Sequence, residues 1–168
     1  MEGWSLAGSH PQDYEPGIDT ITTYQGKNSG YIKSAVTTPK GFGSMRQVFK
    51  ADKYRSKRLC FSAMVKSEGV EGWAGLWMRV NGPKESLSFD STRERPIKGT
   101  TDWQRYELVL DVPEASVLIA IGLALAGKGQ VWLSDVHFEE VGMDIPTSGY
   151  PNEYPDEPVN LDFSIYGS

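Results

Sequence analysis

The stretch "GWAGLWMRV", residues 72–80, decides the fold, because its residue types alternate with a period of two. Ala, Leu, Met and Val fill the even positions, whereas the odd positions carry Trp73, Trp77 and Arg79. Successive side chains of a β-strand point to opposite faces, so the alternation predicts a strand with one ordinary core face. Its other face combines indole and guanidinium groups where plain polar side chains are usual. We interpret that face as the floor of a binding groove.

The stretches around this strand predict further strands. Residues 57–67, "KRLCFSAMVKS", alternate in the same way, and residues 102–112, "DWQRYELVLDV", are apolar at every second position toward their end. Residues 116–127, "SVLIAIGLALAG", would suit a buried helix, but their β-branched side chains favour a strand. The dipeptide Asn81-Gly82 predicts a tight hairpin. About eight short strands without intervening helices predict an all-β fold, a two-sheet antiparallel sandwich.

The faces of neighbouring strands complete the predicted groove. We expect the second face of residues 59–65 to point the same way as the tryptophan face, which places Cys60, Ser62 and Met64 in the groove. If the odd positions of residues 117–125 face the core, the opposite face is mostly small: Leu118, Ala120, Gly122 and Ala124. A trough with aromatic walls suits sugars or planar and cationic ligands. The alternative is that the tryptophans simply pack under a loop or under the C-terminal segment.

Length and charge limit the classes of function. The 168 residues suit one domain, and the net charge of −5 with a pI of about 5.1 argues against nucleic-acid binding by the chain itself. No apolar run is long enough to predict a membrane span, and the N-terminal residues do not resemble a signal peptide. The single cysteine, Cys60, is expected to be a packing residue. Together these features predict a cytoplasmic protein.

Two parts are expected along the chain. Residues 1–141 form the predicted sandwich domain, whereas residues 142–168 are proline-rich, acidic and without periodicity. We interpret the second part as a tail that is either disordered or laid along the sandwich by its tyrosines and Phe163.

The most polar segment before the first clear strand is residues 7–19, which we interpret as a loop. It would close one end of the groove and bring His10, Asp13 and Tyr14 to the ligand, or it is a solvated loop with Asx-turns. A calcium site is a further hypothesis, because Asp13, Asp19 and Asp135 offer hard oxygen ligands, although their spacing is not that of an EF-hand.

A second candidate segment is "SFDSTRERPIKGT", residues 88–100. It would be a lid whose cations attract an anionic ligand, with Asp90 and Arg95 at the site, or an exposed loop of compensating charges, which we favour for Arg93. No nucleophile, metal-protease, P-loop or dinucleotide motif occurs, so no catalytic residue and no cofactor are assigned.

Two long stretches resemble a known type of domain. Residues 41–80, "GFGSMRQVFKADKYRSKRLCFSAMVKSEGVEGWAGLWMRV", and residues 89–141 resemble a bacterial domain that occurs alone, fused to AraC-type regulators, or beside erythromycin-esterase-like proteins. The pattern "TDWQRYELVLDVPE…GKGQVWLSDVHFEEV" is similar to the end of carbohydrate-binding-module jelly rolls of the galactose-binding-like type. The resemblance implies a two-sheet jelly roll with ligands on its concave face.

Three functions follow as hypotheses. The first is a non-catalytic protein that binds a small molecule or carbohydrate in the groove, with stacking on the tryptophans and orientation by Arg79. The second is a small isomerase, lyase or hydrolase that uses the same groove, with His10 or a nearby carboxylate as general acid–base. The third is a protein-interaction module whose groove receives a peptide.

Overall fold

The structure is a computed structural model that describes residues 3–92 and 95–148. These residues form nine β-strands and one short 3-10 turn, Pro11–Asp13. The strands are β1 (Ser5–Gly8), β2 (Tyr14–Tyr24), β3 (Lys27–Ser34), β4 (Phe42–Lys50), β5 (Lys57–Asn81), β6 (Ser86–Ser91), β7 (Ile97–Val112), β8 (Leu118–Ala126) and β9 (Gln130–Val141). No helix within these ranges is long and apolar enough to cross a membrane.

Strand β5 runs for 25 residues and belongs to both sheets. Its first half pairs with β7 and β9, and its second half pairs with β8 and β6. The register with β7 shifts three times between Val65 and Ala74, which is where the strand passes from one sheet to the other. The apolar residues on either side of this bend therefore come from one continuous segment.

The two sheets are antiparallel throughout. The back sheet has the order β7–β5–β9–β3–β2, and the front sheet has the order β1–β4–β8–β5–β6. This arrangement confirms the all-β, two-sheet antiparallel sandwich. Strand β9 ends at Val141, and residues 142–148 contain no strand.

The core lies between the two halves of β5. Leu59, Phe61 and Ala63 of the first half are fully buried, and so are Leu76 and Met78 of the second half. Strand β8 adds its odd-numbered side chains: Ile119, Ile121, Leu123 and Leu125. The predicted core face of residues 72–80 is thus confirmed, and that of 117–125 is confirmed except for Val117, which is 37% exposed.

The expectation that Cys60, Ser62 and Met64 share the groove face is wrong. The two halves of β5 turn their core faces toward each other, so their outer faces lie on opposite sides of the sandwich. Ser62 instead accepts a hydrogen bond of 2.7 Å from Arg105 on the outside of the back sheet. Cys60 is buried there, and burial raises the pKa of its thiol.

Two local predictions also need correction. Residues 7–19 are not one loop, because β2 already begins at Tyr14 as an edge strand of the back sheet. Polar and apolar residues occur on both faces of β2, so its sequence does not show the alternation that predicts a strand. The hairpin after β5 exists, but residues 82–85 form its loop, and the Gly82 N–H donates to the Glu85 carbonyl. Pro83 lies within that longer loop.

The first residues after β9 lie against the back sheet. The Arg58 guanidinium donates to the carbonyls of Met143, at 3.0 Å, and Ile145, at 2.7 Å. The Ser148 N–H donates to the Val109 carbonyl at 2.9 Å. The tyrosines and Phe163 that were expected to hold the tail lie outside the described residues.

We predict that Leu76→Ala lowers the free energy of unfolding by about 2–5 kcal/mol, because the substitution leaves a cavity between the sheets. Ile21→Ala is the matched control, since Ile21 is 90% exposed, and its effect should stay within about 0.5 kcal/mol. Urea denaturation followed by circular dichroism measures both. Equal effects of the two substitutions would contradict the placement of the core.

Candidate ligand-binding groove

A groove of about 310 Å³ lies on the outer face of the front sheet. Its aromatic walls are Trp73 and Trp77 of β5, Phe42 of β4 and Phe89 of β6. The two phenylalanines are each 37% exposed, so apolar rings face the open space. The structure thus brings three of the predicted residues to one groove: Trp73, Trp77 and Arg79.

Trp77 forms the floor of the groove. Its indole N–H donates to the Ser44 hydroxyl at 2.8 Å, and that hydroxyl is 3.3 Å from the carbonyl oxygen of Leu123. A Cβ atom placed on Gly122 would stand 2.6 Å from the indole ring. The ring therefore lies across β8, over a position that only glycine leaves open. Its far end is fixed on β4, which makes the floor rigid.

Two arginines provide the charge of the groove. Arg46 comes from β4 and Arg79 from β5, with β8 between these strands. Since neighbouring strands lie about 4.8 Å apart, the two backbones are roughly 10 Å apart and both side chains border the same space. The guanidinium carbon of Arg79 lies 5.6 Å from the centre of the Trp77 ring, which is cation–π distance.

The Nε atoms of Arg46 and Arg79 are excluded from solvent and have no hydrogen-bond partner among the described residues. Nor does either guanidinium form an ion pair within residues 3–92 and 95–148. Shielded donors without partners are rare in folded proteins because they lose the hydrogen bonds that water would give. The groove therefore contains two cations that have neither an ion pair nor an acceptor for Nε in the described part of the chain.

His10, Asp13 and Tyr14, the predicted ligand residues of segment 7–19, are not among the groove residues. The Tyr14 hydroxyl donates to the Gly41 carbonyl at 3.0 Å and accepts from the Gly127 N–H at 2.9 Å, and burial raises its pKa. Asp13 accepts from the Lys40 N–H at 2.9 Å, and a ring nitrogen of His10 lies 3.1 Å from the Ser9 hydroxyl. The same segment borders the groove through Ala7 and Gly8 instead.

Asp90 at the end of β6 and Arg95 after it are likewise not among the groove residues. The Asp90 carboxylate accepts from the Ser91 N–H at 2.8 Å and from the Ser148 hydroxyl at 2.6 Å. Arg95 donates to the Glu107 carbonyl at 3.4 Å. Their neighbours Phe89 and Ser91 line the groove. Arg93 lies outside the described residues.

The three aspartates of the calcium hypothesis are not brought together. No group of three or more His, Cys, Asp and Glu side chains in the described ranges is arranged to hold a metal. Asp19 accepts from the N–H groups of Thr22 and Ile21 and from the Trp132 indole, which together hold its pKa low. Asp135 pairs with Lys27 at 2.6 Å.

Sequence reasoning missed Phe42, Ser44 and Arg46 of β4. Their alternation in "FGSMRQVFK" was available, since the even positions differ from the core position Met45. The local pattern does not show which strand lies beside β4. That strand is β8, which begins 68 positions after the last residue of β4. Without that pairing nothing relates Arg46 to the tryptophan strand.

Comparison with known proteins finds one close relative in sequence. No family model matches the chain. A Bacillus subtilis (strain 168) protein named "Uncharacterized HTH-type transcriptional regulator YbfP" is 50% identical over 167 residues, which is 97% of this chain and 57% of that protein. The chain thus spans little more than half the length of this relative.

Solved structures share the fold at low sequence identity. The C-terminal family 22 carbohydrate-binding module of Clostridium thermocellum Xyn10B matches with a TM-score of 0.58 at 11% identity, covering 86% of this chain and 89% of that one. The CBM22-1 xylan-binding domain of Paenibacillus barcinonensis Xyn10C matches with a TM-score of 0.57 at 14% identity, covering 83% and 86%. The chain therefore shares its sandwich fold with these carbohydrate-binding modules.

We predict that Gly122→Ala displaces the Trp77 ring and destabilises the protein by about 1–3 kcal/mol, because the new methyl group overlaps the indole. When Gly122→Ala is introduced into a Trp77→Ala variant, it should cause little further loss of stability, since the clash is then absent. Denaturation of the four proteins in this cycle measures the coupling. Additive effects would show that the ring does not cross β8.

We predict that Asp19 stabilises the fold at neutral pH as an acceptor and not as a metal ligand. Its pKa is lowered in the folded state, so its contribution is present above the unfolded value of about 4 and is lost as pH falls through the folded value. The difference in unfolding free energy between wild type and Asp19→Asn should shrink over that range. A difference that disappears on adding EDTA at pH 7 would instead support a metal.

Proposed function

We propose that this chain is a non-catalytic binding domain that takes a small molecule, a carbohydrate in the first instance, into the groove on its front sheet. The observation that carries the proposal is the pinned floor: Trp77 is fixed between Ser44 and Gly122 and offers a ring face to the groove. A rigid aromatic face binds the C–H surface of a sugar ring without losing side-chain entropy on association.

The shape and the walls support a small ligand. A volume of about 310 Å³ is at the lower end of the range for small-molecule sites. Trp73 and Phe89 stand with Trp77 along the groove, so a ring would meet apolar surface on more than one side. The fold shared with carbohydrate-binding modules supports a sugar as the ligand of this groove. Xylan is named for one of those domains and is not carried over to this chain.

The relative in sequence supports a role in regulation. A protein named as an HTH-type regulator contains a region 50% identical to this chain, and the chain corresponds to only 57% of it. We therefore propose that the groove senses a cytoplasmic metabolite within regulators of the AraC type. In such regulators a different region of the protein would contact DNA. The net charge of −5 agrees with a sensing role and opposes direct binding to DNA.

We predict that a panel of mono- and disaccharides produces a saturable change in tryptophan fluorescence, and that Trp77→Ala weakens binding at least tenfold, which is about 1.4 kcal/mol. Trp103→Ala is the matched control, because Trp103 packs on Tyr24, away from the groove residues, and should leave affinity unchanged.

Thermal melts accompany the titrations to separate binding from folding. If Trp77→Ala unfolds the protein, Trp77→Phe and Trp73→Ala repeat the test with a smaller change. Unaltered affinity in folded groove variants, or loss of affinity in Trp103→Ala, would place the ligand elsewhere.

A further inference from the structure

We infer that the groove selects a ring ligand that carries an acidic group, as sugar acids do, and that Arg46 and Arg79 hold this group from two strands. The inference rests on the proposed function and deepens it by naming the class of ligand. The ring would lie on the tryptophan surface, and the acidic group would neutralise the paired cations.

Charge is the first argument. The protein has 22 acidic and 17 basic residues, yet the described lining of the groove contains two arginines and no carboxylate. Other cations do have carboxylate partners, as in the Lys27–Asp135 pair at 2.6 Å and the Arg58–Asp111 pair at 2.7 Å. Two uncompensated cations on one apolar surface of an acidic protein repel each other and attract an anion.

The unused donors are the second argument. Both Nε atoms are shielded from water and have no acceptor in the part of the chain that the structure describes, so the hydrogen-bonding capacity of both guanidinium groups is incompletely used there. Guanidinium binds a carboxylate or phosphate through two parallel N–H donors, and such charge-assisted bonds are roughly twice as strong as neutral ones. A neutral sugar hydroxyl satisfies the donors but leaves both charges without a partner.

The position of Arg79 is the third argument. Its guanidinium lies 5.6 Å from the Trp77 ring centre, so charge and stacking surface are adjacent. Arg46 is opposite Gly122 on β8, and Gly122 is opposite Trp77 on β5, which aligns the second arginine with the same ring across the sheet. A ligand stacked on Trp77 therefore lies in a groove that both arginines line, one from each strand that flanks β8.

Calorimetry on the full chain tests the inference with matched pairs of ligands. D-glucuronate is compared with D-glucose, D-galacturonate with D-galactose, and D-glucose 6-phosphate serves as the phosphate arm. We expect each acid to bind at least tenfold more tightly than its neutral parent in low salt, with the advantage falling as salt is raised. Arg46→Gln and Arg79→Gln should each remove most of this advantage, whereas Arg105→Gln, outside the groove, should keep it.

The outcomes separate the two proposals. Tighter binding of the uronates, or of the sugar phosphate alone, supports the inference and identifies the acidic group. Equal binding of acids and neutral parents overturns the inference and leaves the proposed function standing. Absence of binding by every acid and every neutral sugar overturns both. If a Gln variant does not fold, the Lys variant replaces it and should retain part of the preference; full retention in Gln variants overturns the assignment to these arginines.

Discussion

The structure depends on one constraint, which is that a single strand of 25 residues serves both sheets. Because β5 pairs with β7 and β9 through its first half and with β8 and β6 through its second, neither sheet is complete without it. Each half turns its apolar face inward, and together with β8 these faces form the centre of the core. The hydrophobic effect thus fixes the register of β5, since a slip by one residue would expose every core side chain.

That register decides what the front sheet presents to solvent. With Leu76, Met78 and Val80 inward, Trp77 and Arg79 have to point outward. A large ring on a sheet surface would normally stand upright, but Gly122 lets it lie across β8 and reach Ser44. The groove is therefore a consequence of core packing combined with one missing side chain.

Much of this could be predicted from local patterns. The alternation in residues 72–80 depends only on the period of a strand and was placed correctly, and of the small residues predicted at even positions of 117–125, Ala124 lines the groove. The passage of β5 between sheets could not be predicted, because Gly69 and Gly72 at the bend are equally typical of a turn between two separate strands. Cys60 was assigned to the groove for that reason.

Pairings between distant strands were also beyond reach. Arg46 enters the site only because β4 pairs with β8, and no local pattern encodes that contact. Tyr14 illustrates the reverse error, because a tyrosine in a polar segment suggests a ligand contact. Its hydroxyl in fact links Gly41 to Gly127 in the interior. Whether such a tyrosine contacts a ligand or a structural hydrogen-bond partner depends on its burial and its neighbours, which only the whole fold determines.

The central claim is that one ligand meets the tryptophan floor and both arginines at once. Nitrogen-15 NMR of the labelled protein during titration with D-glucuronate tests it most directly, by following the indole and guanidinium Nε–H signals. The account predicts that Trp77, Arg46 and Arg79 shift together with one dissociation constant, while Trp132, whose indole is held by Asp19, stays in place. Shifts confined to residues outside the groove, or arginine shifts without a change at Trp77, would contradict it.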